Sequence, residues 1–394
     1  MTTAAQDAII DATAPLVAEH LDAITARFYP LMFERYPEVK AVFNQAHQAD
    51  GGQPKALARG VLAYVGLRRQ PQEVIDSMQT VISKHVSLGI QPEQYPIVGE
   101  CLMAAIGEVL GEVVTPEIAD AWAALYNDLA ALLIAAEAER YQAFADRPGG
   151  WRGLREFRVA QIQRECEVIR SFTLEPVDGQ PVADAEPGQY IGLRLAVDEA
   201  IVHRHYSLSG SPNGRSYRIS VKQEPGGLVS NFLHQQMRVG DTLELLPPAG
   251  ELTLDDGNAP VMLISGGVGQ TPMLPLARQA LAQGRRVCYV HAARNIDHHA
   301  FRGEVEALAR DYPQLLTRVC AYEEGDGGDI KGRLERELLA RLLPGGDAQC
   351  YFVGPPPFMS AIDSHLAELG IPEQRRHYEH FGPSRPLDHS KSVA

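Results

Sequence analysis

The chain has 394 residues, 45% of them hydrophobic, and a formal charge of −14 because 50 Asp and Glu outnumber 36 Lys and Arg. At about 150 residues per domain this length predicts two or three domains, and the hydrophobic content excludes a disordered chain. The acidic balance makes nucleic acid and anionic membranes poor partners, and five cysteines without a paired C-x-x-C exclude a disulfide framework.

The N-terminal region lacks the pattern of a targeting segment. The first 26 residues hold four acidic residues and no Lys or Arg, the reverse of a signal peptide. The longest uninterrupted apolar run, 129–136, is far shorter than the roughly 20 residues that a membrane span needs. We therefore expect a cytoplasmic protein without a membrane span.

Glycine and proline divide the chain into two parts. Residues 1–147 contain 8 Gly and 8 Pro, whereas residues 148–394 contain 27 Gly and 19 Pro. The first part is also the more acidic, with 10 basic against 19 acidic residues. Because helix breakers are scarce before the turn-forming cluster at 146–151, we predict an all-α domain over 1–147 and strand-containing domains after it.

Apolar residues at helical spacing mark the elements of the first part. One predicted helix contains the stripe Val17, Leu21, Ile24, Phe28 and Leu31. A second contains Val74, Met78, Val81, His85 and Leu88. The last predicted helix runs to about Phe144 and contains Trp122, Leu125, Leu129, Leu132 and Leu133. Of the three histidines His20, His47 and His85, the last lies on the most apolar stripe. An imidazole there suits a haem iron, although a single helical histidine is more often a core or cap residue.

The second part changes its period. Tyr217, Ile219 and Val221 alternate with polar residues, which predicts a half-buried strand. From Val261 onward, apolar runs at 261–264, 287–290 and 351–353 alternate with helical segments. This βαβ pattern predicts an open parallel sheet and brings the count to three domains.

Residues 204–207, Arg-His-Tyr-Ser, follow a strand-like run and match the flavin-binding signature of the ferredoxin-reductase superfamily. Arginine can bind a diphosphate, tyrosine can stack on an isoalloxazine, and a serine hydroxyl can bond near flavin N5. Pro187-Gly188-Gln189-Tyr190 precede the motif, and residues 226–231 place glycines and a serine at a helix start, where free N–H groups bind phosphate. The alternative is an ordinary strand and turn with a helix cap.

A glycine-rich turn at 264–273 follows the strand that begins at Val261. Its glycines allow a tight turn against a pyrophosphate, but the third glycine of the standard dinucleotide fingerprint is missing. Residues 353–359 follow another strand and resemble a nicotinamide-side loop. Many proteins with a similar loop have cysteine where Val353 stands. Cys350 lies three residues earlier in the chain and should not replace that cysteine directly. Arg294 could bind a 2′-phosphate or be solvated, so the choice between NADH and NADPH stays open.

In their order along the chain, these motifs resemble those of the flavohaemoglobins, the family of nitric oxide dioxygenases. The first part resembles a bacterial globin at Phe28-Tyr29, Val42-Phe43-Asn44, Gln53 with Leu57, Lys84-His85 and residues 91–100. The resemblance implies haem b with His85 as the proximal iron ligand and Phe43, Leu57 and Lys84 in the haem pocket. It places Tyr29 and Gln53 beside bound oxygen, and Tyr95 and Glu137 against the proximal imidazole. From its own neighbours, Glu139 and Arg140, Glu137 is predicted instead on a solvated helix face.

The resemblance also implies the two remaining cofactor sites. FAD would be bound by Tyr190, Arg204, His205, Tyr206, Ser207, Gly227, Val229 and Ser230, with Phe381 covering the flavin. NAD(P)H would be bound by Gly266, Gly267, Val268, Gly269, Gln270, Thr271, Pro272, Gly354 and Pro355. Phe381 could equally be an ordinary packing residue.

The implied fold is an all-α globin over 1–147, an antiparallel β-barrel FAD domain over 151–257, an α/β parallel-sheet NAD(P) domain over 258–384 and a tail over 385–394. The implied activity is nitric oxide detoxification: haem-bound O₂ oxidises NO to nitrate, with electrons passed from NAD(P)H, preferably NADH, through FAD. The expected partners are NO, O₂ and NAD(P)H, and the expected state is a monomer. The alternatives are an NAD(P)H-dependent haem, ferric or peroxide reductase, and an oxygen-binding or sensing globin.

Overall fold

The structure, a computed structural model, describes residues 2–42, 52–197, 200–381 and 387, with the side chains at 40–42, 52–59 and 71 left out. Phe43 and His47 lie outside the described residues. Gln53 and Leu57 lie in a helix whose backbone is described, but their side chains lie outside the description.

The N-terminal part is all-α. Its helices are α1 Ala4–Glu19, α2 Leu21–Arg35, α3 Gly52–Leu67, α4 Pro71–Ser77, α5 Gln79–Leu88, α6 Tyr95–Leu110 and α7 Pro116–Ala145. Short 3₁₀ segments lie at Pro37–Val42, Pro92–Gln94 and Gly111–Val113. The helices share one core, in which Phe28, Ile82 and Trp122 are nearly fully buried.

Two of the predicted helices are each divided in two. The stripe from Val17 to Leu31 crosses a break at His20 (φ −99°, ψ 11°), and the stripe through Val74 crosses one at Met78 (φ −101°, ψ 5°). A break of one residue hardly changes the phase of the apolar stripe, so both halves bury the same face. For that reason the stripes are right while the single helices they predict are wrong.

Helix α7 is long and apolar enough to cross a membrane by length and composition alone. In the structure it packs against α1, α5 and α6, and it buries Trp122, Leu125 and Leu129 in the core of the all-α domain. Its apolar character therefore has an explanation in core packing.

A sheet of antiparallel strands follows: β1 Arg155–Arg164, β2 Ile169–Pro176, β3 Tyr190–Val197, β4 Ala200–Ser207, β5 Tyr217–Lys222 and β6 Thr242–Leu245, with helix α8 at Leu228–Gln235. The strand order is β4-β3-β6-β1-β2-β5. A bridge between Leu208 and Ile219 joins the two ends of this order, so the sheet curls into a barrel.

The C-terminal part is a parallel sheet with helices on both faces. Its strands are β7 Val261–Gly266, β8 Val287–Ala293, β9 Leu316–Tyr322, β10 Ile330–Lys331, β11 Gln349–Val353 and β12 Arg376–Tyr378; its helices are α9 Gln270–Ala282, α10 Arg302–Asp311, α11 Arg336–Leu342 and α12 Pro356–Glu368. In the strand order β10-β9-β8-β7-β11-β12, the strands after β7 are added first on one side of it and then on the other. Ligands of such sheets bind at the carboxyl ends of the strands beside this switch point.

The predicted fold class is confirmed: an all-α domain, an antiparallel barrel and a parallel-sheet domain follow one another. Helix α7 ends at Ala145 and β1 begins at Arg155, and the barrel's last strand ends at Leu245 before β7 begins at Val261. Of the predicted tail, Leu387 alone lies within the described residues.

Candidate functional site

Three helices place their side chains around the imidazole of His85. The Nδ1 of His85, on α5, lies 2.6 Å from Oε1 of Glu137 on α7 and 2.9 Å from the hydroxyl of Tyr95 at the start of α6. Because a carboxylate can only accept, Nδ1 carries the proton and donates it to Glu137. The lone pair is then on Nε2, which is the nitrogen that could bind a metal.

Glu137 is 3% exposed, so the solvated position predicted from its neighbours is wrong. It lies four residues after Leu133 and four before Tyr141, both buried, and this spacing puts it on the inner face of α7. The hydroxyl of Tyr95 donates to the same Glu137 oxygen at 2.5 Å. Burial, with the charge of Glu137, raises the pKa of Tyr95 well above its usual range, so the phenol remains a donor.

Two further tyrosines brace this cluster, and the sequence analysis missed both. The hydroxyl of Tyr126 donates to the backbone carbonyl of Tyr95 at 2.7 Å, and that of Tyr141 donates to the carbonyl of Ile90 at 3.0 Å. Both residues occur in the apolar pattern of α7, which is the only signal that could have identified them. They fix the chain on either side of the turn between α5 and α6.

On α2, Tyr29 is 7% exposed and its ring lies 4.7 Å from that of Phe28. Burial raises the pKa of the Tyr29 hydroxyl above its usual range, so the group stays protonated and able to donate. Gln53 and Leu57, predicted beside it, lie one helical turn apart on α3. The grouping of these three residues around an oxygen ligand stays a prediction, as does the role of Phe43.

Lys84, predicted in the haem pocket, lies between the all-α domain and the barrel. Its ammonium is 4.5 Å from the centre of the Tyr190 ring on β3. Burial lowers the pKa of Lys84, and the carboxylate of Glu379 opposes that change. Burial raises the pKa of Glu379 to about 7. The sequence analysis missed Glu379, because nothing near it in the chain indicates that it approaches Lys84.

The predicted flavin residues lie on paired strands and on the helix beside them. Tyr190 pairs with Ser207, and Arg204 pairs with Leu193, in the antiparallel register of β3 and β4. Burial lowers the pKa of Arg204 and raises that of Tyr206, as expected for side chains in a recess. The two strands therefore present residues 204–207 together with Tyr190.

Gly227 stands immediately before α8, and a Cβ there would lie 2.6 Å from the Ser230 hydroxyl oxygen. That oxygen accepts from the backbone N–H of Glu224 at 3.1 Å, while Val229 is buried below. Phe381 is 45% exposed near the end of the described chain, which disfavours ordinary core packing for it.

The predicted nicotinamide loops meet at the carboxyl ends of β7 and β11. A Cβ on Gly269 would lie 2.1 Å from the carbonyl oxygen of Val353, and a Cβ on Gly354 would lie 2.5 Å from the Phe358 ring. Only glycine permits this contact between the turn at Gly267–Gly269 and the loop after β11. Helix α9 begins directly after the turn, and Gln270, Thr271 and Pro272, in its first turn, are buried.

Cys350 is fully buried within β11, paired with Met262 and Arg376, and so lies away from the strand's carboxyl end where Val353 stands. Arg294 is exposed just after β8. Among the described residues, no group of three or more His, Cys, Asp or Glu side chains is placed to hold a metal ion.

Comparisons with known proteins cover all three domains. The globin family matches residues 26–133, the oxidoreductase FAD-binding domain matches 156–254, and the oxidoreductase NAD-binding domain matches 263–364. The chain is 51% identical over 392 residues to a flavohemoprotein of Pseudomonas aeruginosa, and the alignment covers 98% of this chain and 100% of the relative.

Two solved structures are also similar. A flavohemoglobin from Malassezia yamatoensis with bound FAD and heme has a TM-score of 0.86 at 29% identity and covers 97% of this chain and 100% of its own. The FAD/NAD binding domain of a nitric oxide dioxygenase from Vibrio cholerae has a TM-score of 0.55 at 38% identity and covers 58% of this chain and 99% of its own.

Proposed function

We propose that this chain, which belongs to the flavohaemoprotein family, is a nitric oxide dioxygenase that uses NAD(P)H to convert nitric oxide and O₂ to nitrate. The family makes it an oxidoreductase with haem, FAD and NAD(P)H as cofactors. The observation that supports the dioxygenase most strongly is the bond from His85 Nδ1 to the buried Glu137 carboxylate. The bond lies in the part of the chain that matches the globin family, which a reductase domain alone lacks.

The described residues fit each cofactor. His85 keeps Nε2 for iron, and the start of α8 at Gly227 offers backbone N–H groups for a diphosphate. In the turn after β7, a Cβ on Gly267 would meet nothing within 4 Å, which leaves room for a dinucleotide to approach the backbone. When bound, haem supplies the iron that holds dioxygen, and FAD divides the electron pair of NAD(P)H into single electrons.

Each protein group then has a task that its position supports. Glu137 accepts the Nδ1 proton of His85 and makes the imidazole a stronger electron donor through Nε2. Tyr95 holds that carboxylate in place by donating to the same oxygen. Tyr29 stays protonated in its buried position and would donate to a partly anionic oxygen ligand, which slows ligand loss.

The test is to supply the purified holoprotein with NADH and nitric oxide in air. We expect nitric oxide to disappear with nitrate formed in equal amount, and one NADH consumed for every two nitrates, since nicotinamide gives two electrons. Turnover no faster than that of free flavin with free haem would contradict the dioxygenase. Rapid reduction of ferric salts or peroxides without nitrate would support a reductase instead, and reversible O₂ binding without NADH oxidation would support an oxygen-binding globin.

Location and assembly belong to the same proposal. We expect a cytoplasmic monomer whose partners are the small molecules NO, O₂ and NAD(P)H. Light scattering across a size-exclusion peak should give the mass of one chain.

A further inference from the structure

The end of helix α5, which carries His85, contacts the flavin-binding strands directly. The helix ends at Leu88, and Gly89 follows in the left-handed conformation with φ +70°. Ser87, in the last turn of α5, lies two residues after His85, on the side of the globin-like domain that faces the barrel. It is nevertheless fully buried. What covers it is the paired segment of β3 and β4.

The covering side chain is His205, in the middle of the flavin motif. Its Nε2 lies 2.9 Å from the hydroxyl oxygen of Ser87 and 3.2 Å from the carbonyl oxygen of the same residue. A carbonyl oxygen only accepts, so Nε2 carries the proton. The Ser87 hydroxyl already donates to the carbonyl of Lys84 at 2.8 Å, and therefore it also accepts from His205.

Opposite His205 in the strand register is Gly192. A Cβ on Gly192 would lie 2.1 Å from the carbonyl oxygen of Ser87, a distance that no side chain can occupy. A Cβ on Gly89 would meet the Leu246 side chain at 2.9 Å. The backbone of the helix end thus reaches the backbone of the sheet at a position where only glycine fits.

This contact, the helix seat, is formed by Ser87, Gly192 and His205. Burial, with the nearby charge of Lys84, lowers the pKa of His205 to about 3, so the imidazole stays a neutral donor at physiological pH. The seat joins residues that are 118 positions apart in sequence.

We propose that Gly192 and His205 are positioning residues that seat the helix bearing His85 on the flavin-binding strands, and that this seat sets the rate of electron transfer from flavin to haem. The inference rests on the proposed function. His85 lies two residues before Ser87, while Arg204 and Tyr206 flank His205, so a short connection between the two cofactor sites passes through this contact. The step concerned is the one-electron reduction of ferric iron by reduced flavin. It occurs twice for each NADH, and the flavin proton is released to solvent.

The first test compares Gly192→Ala with wild type after rapid anaerobic mixing with NADH. Flavin absorbance reports hydride transfer, and the haem Soret band reports electron transfer. Because a methyl group must push the helix end away, we expect haem reduction to slow at least about tenfold while flavin reduction stays at the wild-type rate. Gly107→Ala, where a Cβ meets nothing within 4 Å, is the control and should match wild type in both steps.

A second test replaces His205 and does not depend on whether Gly192→Ala folds. His205→Leu removes the donor, and we expect the ratio of the haem-reduction rate to the flavin-reduction rate to fall about two- to tenfold. His205→Gln restores a donor at similar reach and should restore the ratio. In addition, the backbone amides of Gly89 and Ile90 should exchange hydrogen faster in the leucine variant than in the glutamine variant, a readout independent of turnover.

The outcomes separate the two proposals. If NADH leaves the wild-type haem unreduced, the proposed function fails. If wild-type haem is reduced and the alanine and leucine variants reduce it equally fast, the helix seat fails while the proposed function stands. If the ratio of the haem-reduction rate to the flavin-reduction rate falls equally in His205→Leu and His205→Gln, the role given to the His205 hydrogen bond is also overturned.

Discussion

A single oxygen of Glu137 accepts hydrogen bonds from both the His85 imidazole and the Tyr95 hydroxyl in an almost fully buried position. A buried carboxylate is costly unless donors satisfy it, and these two bonds do so. The same bonds fix the imidazole's tautomer and orientation. The carboxylate is therefore both a structural part of the core and an electronic influence on whatever Nε2 binds.

We expect Glu137→Gln to raise the haem midpoint potential, because a neutral amide draws less on the Nδ1 proton and leaves the imidazole a weaker donor to ferric iron. A spectroelectrochemical titration of the holoprotein measures this. Glu139→Gln, an exposed position on the same helix, is the control for loss of one negative charge. Equal potentials in the two variants would contradict the role of the carboxylate.

We expect Tyr29→Phe to release O₂ faster, by about tenfold, because a buried donor bond to a partly charged acceptor contributes on the order of 1.5 kcal/mol. Flash photolysis or rapid mixing of the reduced protein gives the dissociation rate. Tyr36→Phe serves as the control, since its hydroxyl bonds to Glu100 at the surface. An unchanged dissociation rate would remove Tyr29 from the oxygen site.

The sequence predicted these residues unequally well. His85 was a candidate because it lies on the most apolar stripe, and the family resemblance singled it out from His20 and His47. Glu137 could not be placed from its own neighbours; the family resemblance put it against the His85 imidazole, which its carboxylate contacts in the structure. Glu379 and Ser87 left no signal, because their importance comes from distant parts of the chain: the charge of Lys84 acts on Glu379, and His205 bonds to Ser87.

Among the elements, the apolar periodicity predicted buried faces better than it predicted element ends. The stripes through Val17 and Val74 continue across breaks at His20 and Met78, which periodicity does not register. The parallel sheet was predictable because continuous apolar runs alternate with helices. The barrel was implied only by the family resemblance, because its closure through the pairing of Leu208 with Ile219 depends on curvature accumulated over the whole sheet.

Strand β8 and the loop after it contribute a buried pair of histidines, His291 and His299, that should make the nicotinamide domain sensitive to acid. The ring centres of His291 and His299 lie 4.5 Å apart, and His299 Nδ1 lies 2.8 Å from the Tyr322 hydroxyl. Burial lowers the pKa of His299 from 6.5 to about 4, with smaller effects from nearby charged residues. Those residues are Arg302, Arg318, Glu306 and Asp329.

Because the folded-state pKa of His299 lies below the unfolded value, its contribution to stability is present above pH 6.5 and is lost as the pH falls through about 4. As the pH drops from 6.5 to about 4, we expect the unfolding free energy of His299→Gln to fall less steeply than that of wild type. The difference in slope should be up to about 1.4 kcal/mol per pH unit. Denaturant unfolding at a series of pH values measures it. His298→Gln in the same loop is the control, and parallel curves for wild type and His299→Gln would disprove the prediction.

At the scale of the whole molecule, ion pairs between described residues link each domain to the next. Between the globin-like domain and the barrel, Arg140 pairs with Glu251 at 2.7 Å beside the helix seat. Between the barrel and the nicotinamide domain, Glu304 on α10 bonds to Arg218 on β5 at 2.7 Å and to Arg278 on α9 at 2.6 Å. These partners are far apart in sequence, so composition and motifs predicted the domains but not their contacts.

The Glu304 contact should govern hydride transfer rather than electron transfer, because it fixes the nicotinamide loops relative to the flavin strands. Replacing Glu304 by Gln leaves two arginines facing each other without their shared carboxylate, and the partly exposed setting limits the cost. We expect flavin reduction by NADH to slow about three- to tenfold, with the subsequent haem reduction unchanged. Added salt should narrow the difference because it screens the arginine repulsion.

Stopped-flow mixing resolves the two steps in one experiment. Glu306→Gln is the matched control, because Glu306 pairs with Arg302 within the same helix and not across the domain boundary. If Glu304→Gln and Glu306→Gln reduce flavin equally fast, the contact does not orient the domains for hydride transfer. If Glu304→Gln instead slows only haem reduction, the division of the two electron-transfer steps between the two interfaces is wrong, and the barrel must transmit strain from one interface to the other.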